Sequence, residues 1–173
     1  LFFDKNNTRV LYTSPVSGTV SAVNRGEKRK VLNVTVAADK EQVSEEFATL
    51  NLEKATREEV IEMLLKSGLW TMIIQRPYGI VANPADMPKA VFVSAFDSAP
   101  LAPDFNFALK GEKENLQKGF EVLAKLAGNA PHLSLRAKSE GEMASLNGVE
   151  LHTFAGKHPV GNVGVQIHHI DPI

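Results

Sequence analysis

The sequence contains no cysteine. Disulfides, thiolate zinc sites, ligation of iron–sulfur clusters by this chain and cysteine nucleophiles are therefore excluded. That absence does not fix the compartment, since a cysteine-free chain works in oxidising and reducing surroundings alike. A surplus of either charge is missing too. The 19 Lys and Arg nearly balance the 20 Asp and Glu, leaving a net charge of -1. Phosphate binding needs a basic surplus, so nucleic acid is not the expected partner, and general attraction to anionic lipid is removed as well. No apolar run approaches the roughly 18 residues of a bilayer span. Leu1-Phe2-Phe3-Asp4 lacks the basic start and long apolar segment of a signal peptide. The chain has no initiating Met and stops at Asp171-Pro172-Ile173. The expectation is an excised piece of a larger protein, without a complete catalytic site of its own.

What is present suffices for folding. With 173 residues, 43% of them apolar, the chain can bury a core as one ordinary domain or two small ones. Residues 1–40 read as short strands punctuated by Pro and Gly: Val10-Leu11-Tyr12, Thr19 to Val23 and Val31 to Val36, with Ser14-Pro15-Val16-Ser17-Gly18 and Asn24-Arg25-Gly26-Glu27 between them. Residues 41–55 are polar and read as a connector. From residue 56 the period changes to that of a helix. Thr56 and Glu59 form a capping-box pattern. Val60, Ile61, Leu64 and Leu65 follow as an apolar stripe, and Gly68 is a stop signal.

Ala90 to Ala95 reads as a buried strand. Leu116, Phe120, Leu123 and Ala127 mark one face of a second helix, closed by Gly128. His132 to Ala137 and Val149 to Phe154 are further strands, separated by a second capping-box pattern, Ser139 with Glu142. The alternation of strand and helix over 56–173 predicts an α/β domain with a parallel sheet. The stretch after His158-Pro159-Val160-Gly161, with His168 and His169, is taken as a last strand.

Four candidate sites follow from residue chemistry. Lys5, with the Ser-Pro-Val-Ser-Gly turn and the strand after it, resembles the lipoyl and biotinyl carrier hairpin, where a lysine bears a swinging arm. The stretch from Lys5 to Pro15 is longer than that hairpin, and the competing reading is an ordinary surface lysine. His152, His158, His168 and His169 gather late in the chain. Adjacent residues on a strand face opposite ways, so His168 and His169 would not share a metal, and hydrogen-bonded histidines without a metal are the expectation. Leu69 to Gly79 is the third candidate, a phosphate cradle, but its large side chains obstruct close backbone approach. Arg76 there reads either as an anion contact or as a surface ion-pairing residue. Asp97 lies just past a strand's carboxyl end, where functional residues of parallel sheets collect. It reads equally as an acid of a site or as a turn cap before Ala99-Pro100-Leu101-Ala102-Pro103.

Three segments carry a resemblance: YTSPVSGTVSAVNRGEKR (Tyr12 to Arg29), VSAFDSAPLAPD (Val93 to Asp104) and HPVGNVGVQIHHIDPI (His158 to Ile173). Together they resemble the family of the A subunit of the Na+-translocating NADH:quinone reductase. That family is similar in turn to the flavin-binding subunit of respiratory complex I and to the C subunit of the Rnf complex. The flavin-binding relatives carry a glycine-rich run after Ser-Gly-Leu. Here Ser67-Gly68-Leu69 is followed by Trp70-Thr71-Met72-Ile73-Ile74-Gln75-Arg76-Pro77. Where they have N-A-D-E-x-E-P, this chain has Ser94-Ala95-Phe96-Asp97-Ser98-Ala99-Pro100, with one acid retained. Their late Tyr-Pro-x-Gly turn appears as His158-Pro159-Val160-Gly161.

The resemblance implies a Rossmann-like parallel sheet with flanking helices, preceded by a small barrel-sandwich-like, lipoyl- or biotinyl-like β segment. It implies a flavin fold whose flavin and NADH site is dismantled, with Trp70, Arg76 and Asp97 as the remnant pocket. The implied setting is a peripheral subunit of a six-subunit sodium-pumping respiratory complex, on the cytoplasmic face of the bacterial inner membrane. FMN, FAD, riboflavin and iron–sulfur centres would sit in the other subunits. This chain would bind no cofactor except quinone, and would serve quinone association or docking. A carrier domain modified on Lys5 is the alternative.

Overall fold

A computed structural model describes residues 1–172. The chain forms two compact units, one of residues 1–49 with 63–71, the other of residues 50–62 and those from 72 onward.

In the first unit, β1 (Phe2–Phe3) pairs antiparallel with β2 (Leu11–Tyr12). The Phe2 and Tyr12 rings stack at 4.7 Å. Between them Asp4 accepts hydrogen bonds from the Asn6 and Asn7 amides, at 2.7 and 3.3 Å. Lys5 is exposed in that loop. β3 (Gly18–Arg25) and β4 (Val31–Ala38) make a long antiparallel hairpin. Its register slips at Ser21 and is restored at Leu32, one extra residue on each strand. The polar stretch after β4 is tied down by Ser17, whose hydroxyl donates to Val43 O (2.8 Å) and accepts from Val43 N (2.9 Å).

α1 (Arg57–Lys66) opens as its sequence dictates. Glu59 accepts from the Thr56 amide (2.7 Å) and hydroxyl (3.0 Å), while the Glu59 amide donates back to Thr56 Oγ1 (3.2 Å). Gly68 closes the helix at φ +78°, where a Cβ would press on Thr13 Cγ2 at 2.8 Å. The backbone bond from Thr56, then the one from its hydroxyl, holds Glu59 below the usual carboxylate range. A depressed carboxylate contributes stability above its ordinary value and loses it as pH falls through the folded one. Glu59→Ala should therefore lower the melting temperature at pH 7, and the gap should narrow below about pH 4. Scanning calorimetry at both pH values checks this; a gap independent of pH would contradict the capping geometry.

In the second unit, β5 (Ile74–Gln75) and β6 (Ile80–Val81) form a minimal hairpin. β7 (Phe92–Ser94), β8 (His132–Arg136) and β9 (Glu150–Phe154) form a three-stranded parallel sheet in that order. β7 is shorter than the expected strand over Ala90 to Ala95 and half-buried. The crossover from β7 carries a short turn of helix, α2 (Phe105–Ala108), and the long α3 (Lys113–Ala127). Gly128 caps α3 at φ 74°, its N–H bonded to Ala124 O. Leu133 and Leu135 point to one side of the sheet and pack with Phe120, Met143 and Leu146 into the core. Arg57 bridges elements by donating to Leu126 O and Asp86 O, at 2.9 and 2.8 Å.

Two local expectations are corrected. Ser139 does not cap a helix. Its hydroxyl accepts from Asn106 Nδ2 (2.9 Å), the Glu142 carboxylate accepts from Gly111 N, and only a 3₁₀ turn, Glu142–Ser145, forms after Gly141. The last segment is not a strand but the helix α4 (Val163–Ile170). Asn162 caps it by accepting from Gly164 N (2.8 Å), and Gln166 and Ile167 are its buried positions.

Candidate functional site

The carboxyl end of a parallel sheet is where its loops leave room for function. Here it is built from three segments. The chain leaves β7 through Ala95 and Phe96, which is buried, and reaches Asp97, which is exposed. Asp97 Oδ1 accepts from the Ala99 amide at 2.8 Å, an Asx turn. Arg136 ends β8, donates to the Asp97 carbonyl at 3.3 Å and lies over the Phe96 ring at 5.8 Å. The third segment is the turn His158 to Gly161. Gly161 N donates to Ser98 Oγ (2.8 Å), and the same hydroxyl meets His158 Nδ1 (3.1 Å).

Gly161 is buried where no side chain fits. A Cβ would collide with Ser98 N and lie 2.8 Å from Asp97 C. Two of the segments that carried the sequence resemblance, 93–104 and 158–173, thus meet at a glycine-to-backbone contact. Behind it Gln166 is 1% exposed and donates from Nε2 to Val160 O at 3.3 Å. Its Oε1 has no hydrogen-bond partner among the described residues. The amides of Ala99 and Gly161, which face this end of the sheet, are occupied by Asp97 and Ser98.

The three residues proposed from sequence lie in different elements. Trp70 is 4% exposed, within the 3₁₀ turn Leu69–Met72. Arg76 is exposed in the connection between β5 and β6. Asp97 alone stands at the end of the sheet, and it adopts the turn-capping role. Sequence reasoning passed over Ser98, Gly161, Arg136 and Gln166. His-Pro-Val-Gly was visible as a turn, but its partner across the sheet was not.

The histidines also group differently from their order in sequence. His158 belongs to the loop just described. His168 and His169 are exposed on α4, with rings 5.6 Å apart. His152 instead meets His132, which no sequence pattern singled out, at 3.0 Å.

Comparison with known proteins is decisive here. Residues 1–39 match the family described as NqrA N-terminal barrel-sandwich hybrid domain, and residues 55–173 that described as NqrA second alpha/beta domain. The chain belongs to the NqrA family. It is 38% identical over 176 residues to the A subunit of the Na(+)-translocating NADH-quinone reductase of Haemophilus influenzae, covering 100% of this chain and 39% of that protein. The subunit of the same name from Yersinia pseudotuberculosis is 37% identical over 175 residues, with the same coverage. The chain thus spans about two-fifths of the length of the curated relatives it matches. An N-terminal barrel-sandwich hybrid and a mixed α/β region with a parallel sheet are therefore its architecture. No helix among the described residues is long and apolar enough to cross a membrane.

Proposed function

We propose that the chain acts as part of the A subunit of a Na+-translocating NADH:quinone reductase, which sits peripherally on the cytoplasmic face of a six-subunit membrane complex. In this reading the sheet is a Rossmann-like flavin fold, akin to the complex I flavoprotein and the Rnf C subunit, that has lost its own flavin and NADH site. FMN, FAD, riboflavin and iron–sulfur centres belong to the partner subunits. This chain supplies docking surface and associates with quinone.

The observation that carries the reading is how the amides at the carboxyl end of the sheet are used. A nucleotide phosphate is held by backbone N–H groups left open by glycines and a helix N-terminus. Here Ala99 N and Gly161 N are bonded to Asp97 and Ser98, and the first turn of α4 is capped by Asn162. Where the flavin-binding relatives have a glycine run, this chain places a buried tryptophan and a hairpin.

Titration of the purified full-length subunit with FMN and with NADH, followed by fluorescence, tests the reading. No saturation at micromolar concentration is expected for either. Micromolar binding that Ala substitution of Arg76 or Asp97 removes would overturn it. A photoreactive quinone should label the subunit in the intact complex; labelling confined to other subunits would remove the quinone role and leave docking. The carrier alternative on Lys5 gains no support. The lysine lies in a long loop shaped by Asp4, not at a tight hairpin tip.

A further inference from the structure

At the other end of the same sheet, three metal-ligating side chains converge. His132 is the first residue of β8 and Glu150 the first of β9, and the two are paired in register. His152 follows Glu150 by two, so it returns to the same face. The alternation puts Leu133 and Leu135 on the opposite, core-packed side. His132 Nδ1 lies 3.0 Å from His152 Nε2 and 3.2 Å from Glu150 Oε2. Among the described residues this is the one group of three or more His, Asp or Glu whose donor atoms all lie within 4.8 Å of one another.

His132 Nδ1 faces two acceptors when it carries its ring hydrogen, the His152 Nε2 lone pair and the Glu150 carboxylate, so one N–H is shared between them. A divalent cation among the three atoms would take a lone pair from each.

We propose that His132, Glu150 and His152 form a binding site for a zinc-class divalent cation, with water completing its coordination. Two imidazoles and a carboxylate are ligands that zinc accepts, and three protein ligands with an open fourth position is a recurrent zinc arrangement. Ligands at about 2.1 Å in a tetrahedron stand about 3.4 Å apart. The 3.0 and 3.2 Å separations open by a few tenths of an ångström to reach that, and the remaining pair, Glu150 and His152, starts within 4.8 Å and closes by up to about 1.4 Å.

The surroundings preorganise the site. Phe92, in register with His132 on β7, stacks on its ring at 4.6 Å and 12° and holds its orientation. The His132 side chain is 13% exposed, whereas Glu150 is 57% exposed, which leaves water a route to the fourth position. His132 and Arg136 are four residues apart on β8, roughly 13 Å. The cation site is therefore separate from the loops around Asp97 and Gly161.

The test uses the purified full-length protein, stripped with a chelator and titrated with Zn2+ against a chromophoric competitor, and with Co2+ by visible spectroscopy. One equivalent per chain is expected. Co2+ should give the intense visible bands of a low-coordinate centre, and Zn2+ should abolish them. Glu150→Gln and His152→Ala should each weaken Zn2+ binding at least about 10- to 100-fold, while the double substitution His168→Ala with His169→Ala leaves it unchanged. Glu150 is exposed, so Glu150→Gln keeps the fold and decides the matter should His152→Ala be unstable; circular dichroism of the metal-free variants confirms this. Absence of a one-equivalent site, or a site that survives Glu150→Gln and vanishes with the α4 histidines, would overturn the proposal.

Discussion

Gly161→Ala should destabilise the second unit by about 3 kcal/mol, the range of an overpacked interior with no room to relax. A flexible neighbour could move aside, but the atoms in the way are the backbone of Asp97 and Ser98. Accommodating a methyl means parting the loop after β7 from the His158 to Gly161 turn, which also breaks the bond from Gly161 N to Ser98 Oγ. Ser98→Ala separates the two effects. It removes that bond without adding bulk and should cost about 1 kcal/mol. Urea unfolding of both variants checks the pair. A Gly161→Ala protein as stable as the parent would mean that the loop and turn do not meet as described.

Leu133→Ala should cost about as much, roughly 3 to 4 kcal/mol, for the opposite reason. Leu133 is wholly buried in the central strand and packs among Phe120, Leu135, Met143 and Leu146. Two neighbouring strands and α3 fix its surroundings, so the cavity cannot collapse. Leu151 is its in-register neighbour on β9 but is 45% exposed. Leu151→Ala should lose under about 1 kcal/mol. Equal losses at the two positions would show that the packing around β8 is not as described.

These residues also show what the sequence could reveal. Signals confined to one turn of chain were legible. Thr56 with Glu59 and Gly68 bracket α1, and Gly128 ends α3, because caps depend on neighbours within four residues. That β7, β8 and β9 run parallel followed from the expected alternation of strand and helix, although only a 3₁₀ turn forms between β8 and β9. Where distant partners compete, local pattern failed. Ser139 has capping spacing, yet Asn106 takes its hydroxyl and Gly111 takes the Glu142 carboxylate. Val163, Val165 and Ile167 alternate as in a strand, but Asn162 starts a helix and Gln166 with Ile167 anchors it.

The sites were harder still to read. Arg76 and Asp97 came from local residue chemistry and Trp70 from matching segments to a family pattern, and both place residues along the chain but not around a pocket. The contact between Gly161 and Asp97 spans 64 positions, and only the folded sheet brings the two together. His132, Glu150 and His152 depend on register. Shifting β9 by one residue would turn Glu150 and His152 to the other face. The sequence carries the ligands but not the pairing that aligns them.

The paired slips in the β3–β4 hairpin bear on how the chain behaves in company. Each strand has eight residues, and among the described residues neither pairs with a third. Two long unpaired borders, with Val20, Val23, Val31 and Leu32 exposed, would ordinarily invite another molecule to add a strand. Ser21 and Leu32 interrupt both ribbons, so neither border offers an unbroken row of evenly spaced donors and acceptors. The bends make each border a poorer template for the indiscriminate addition of a strand.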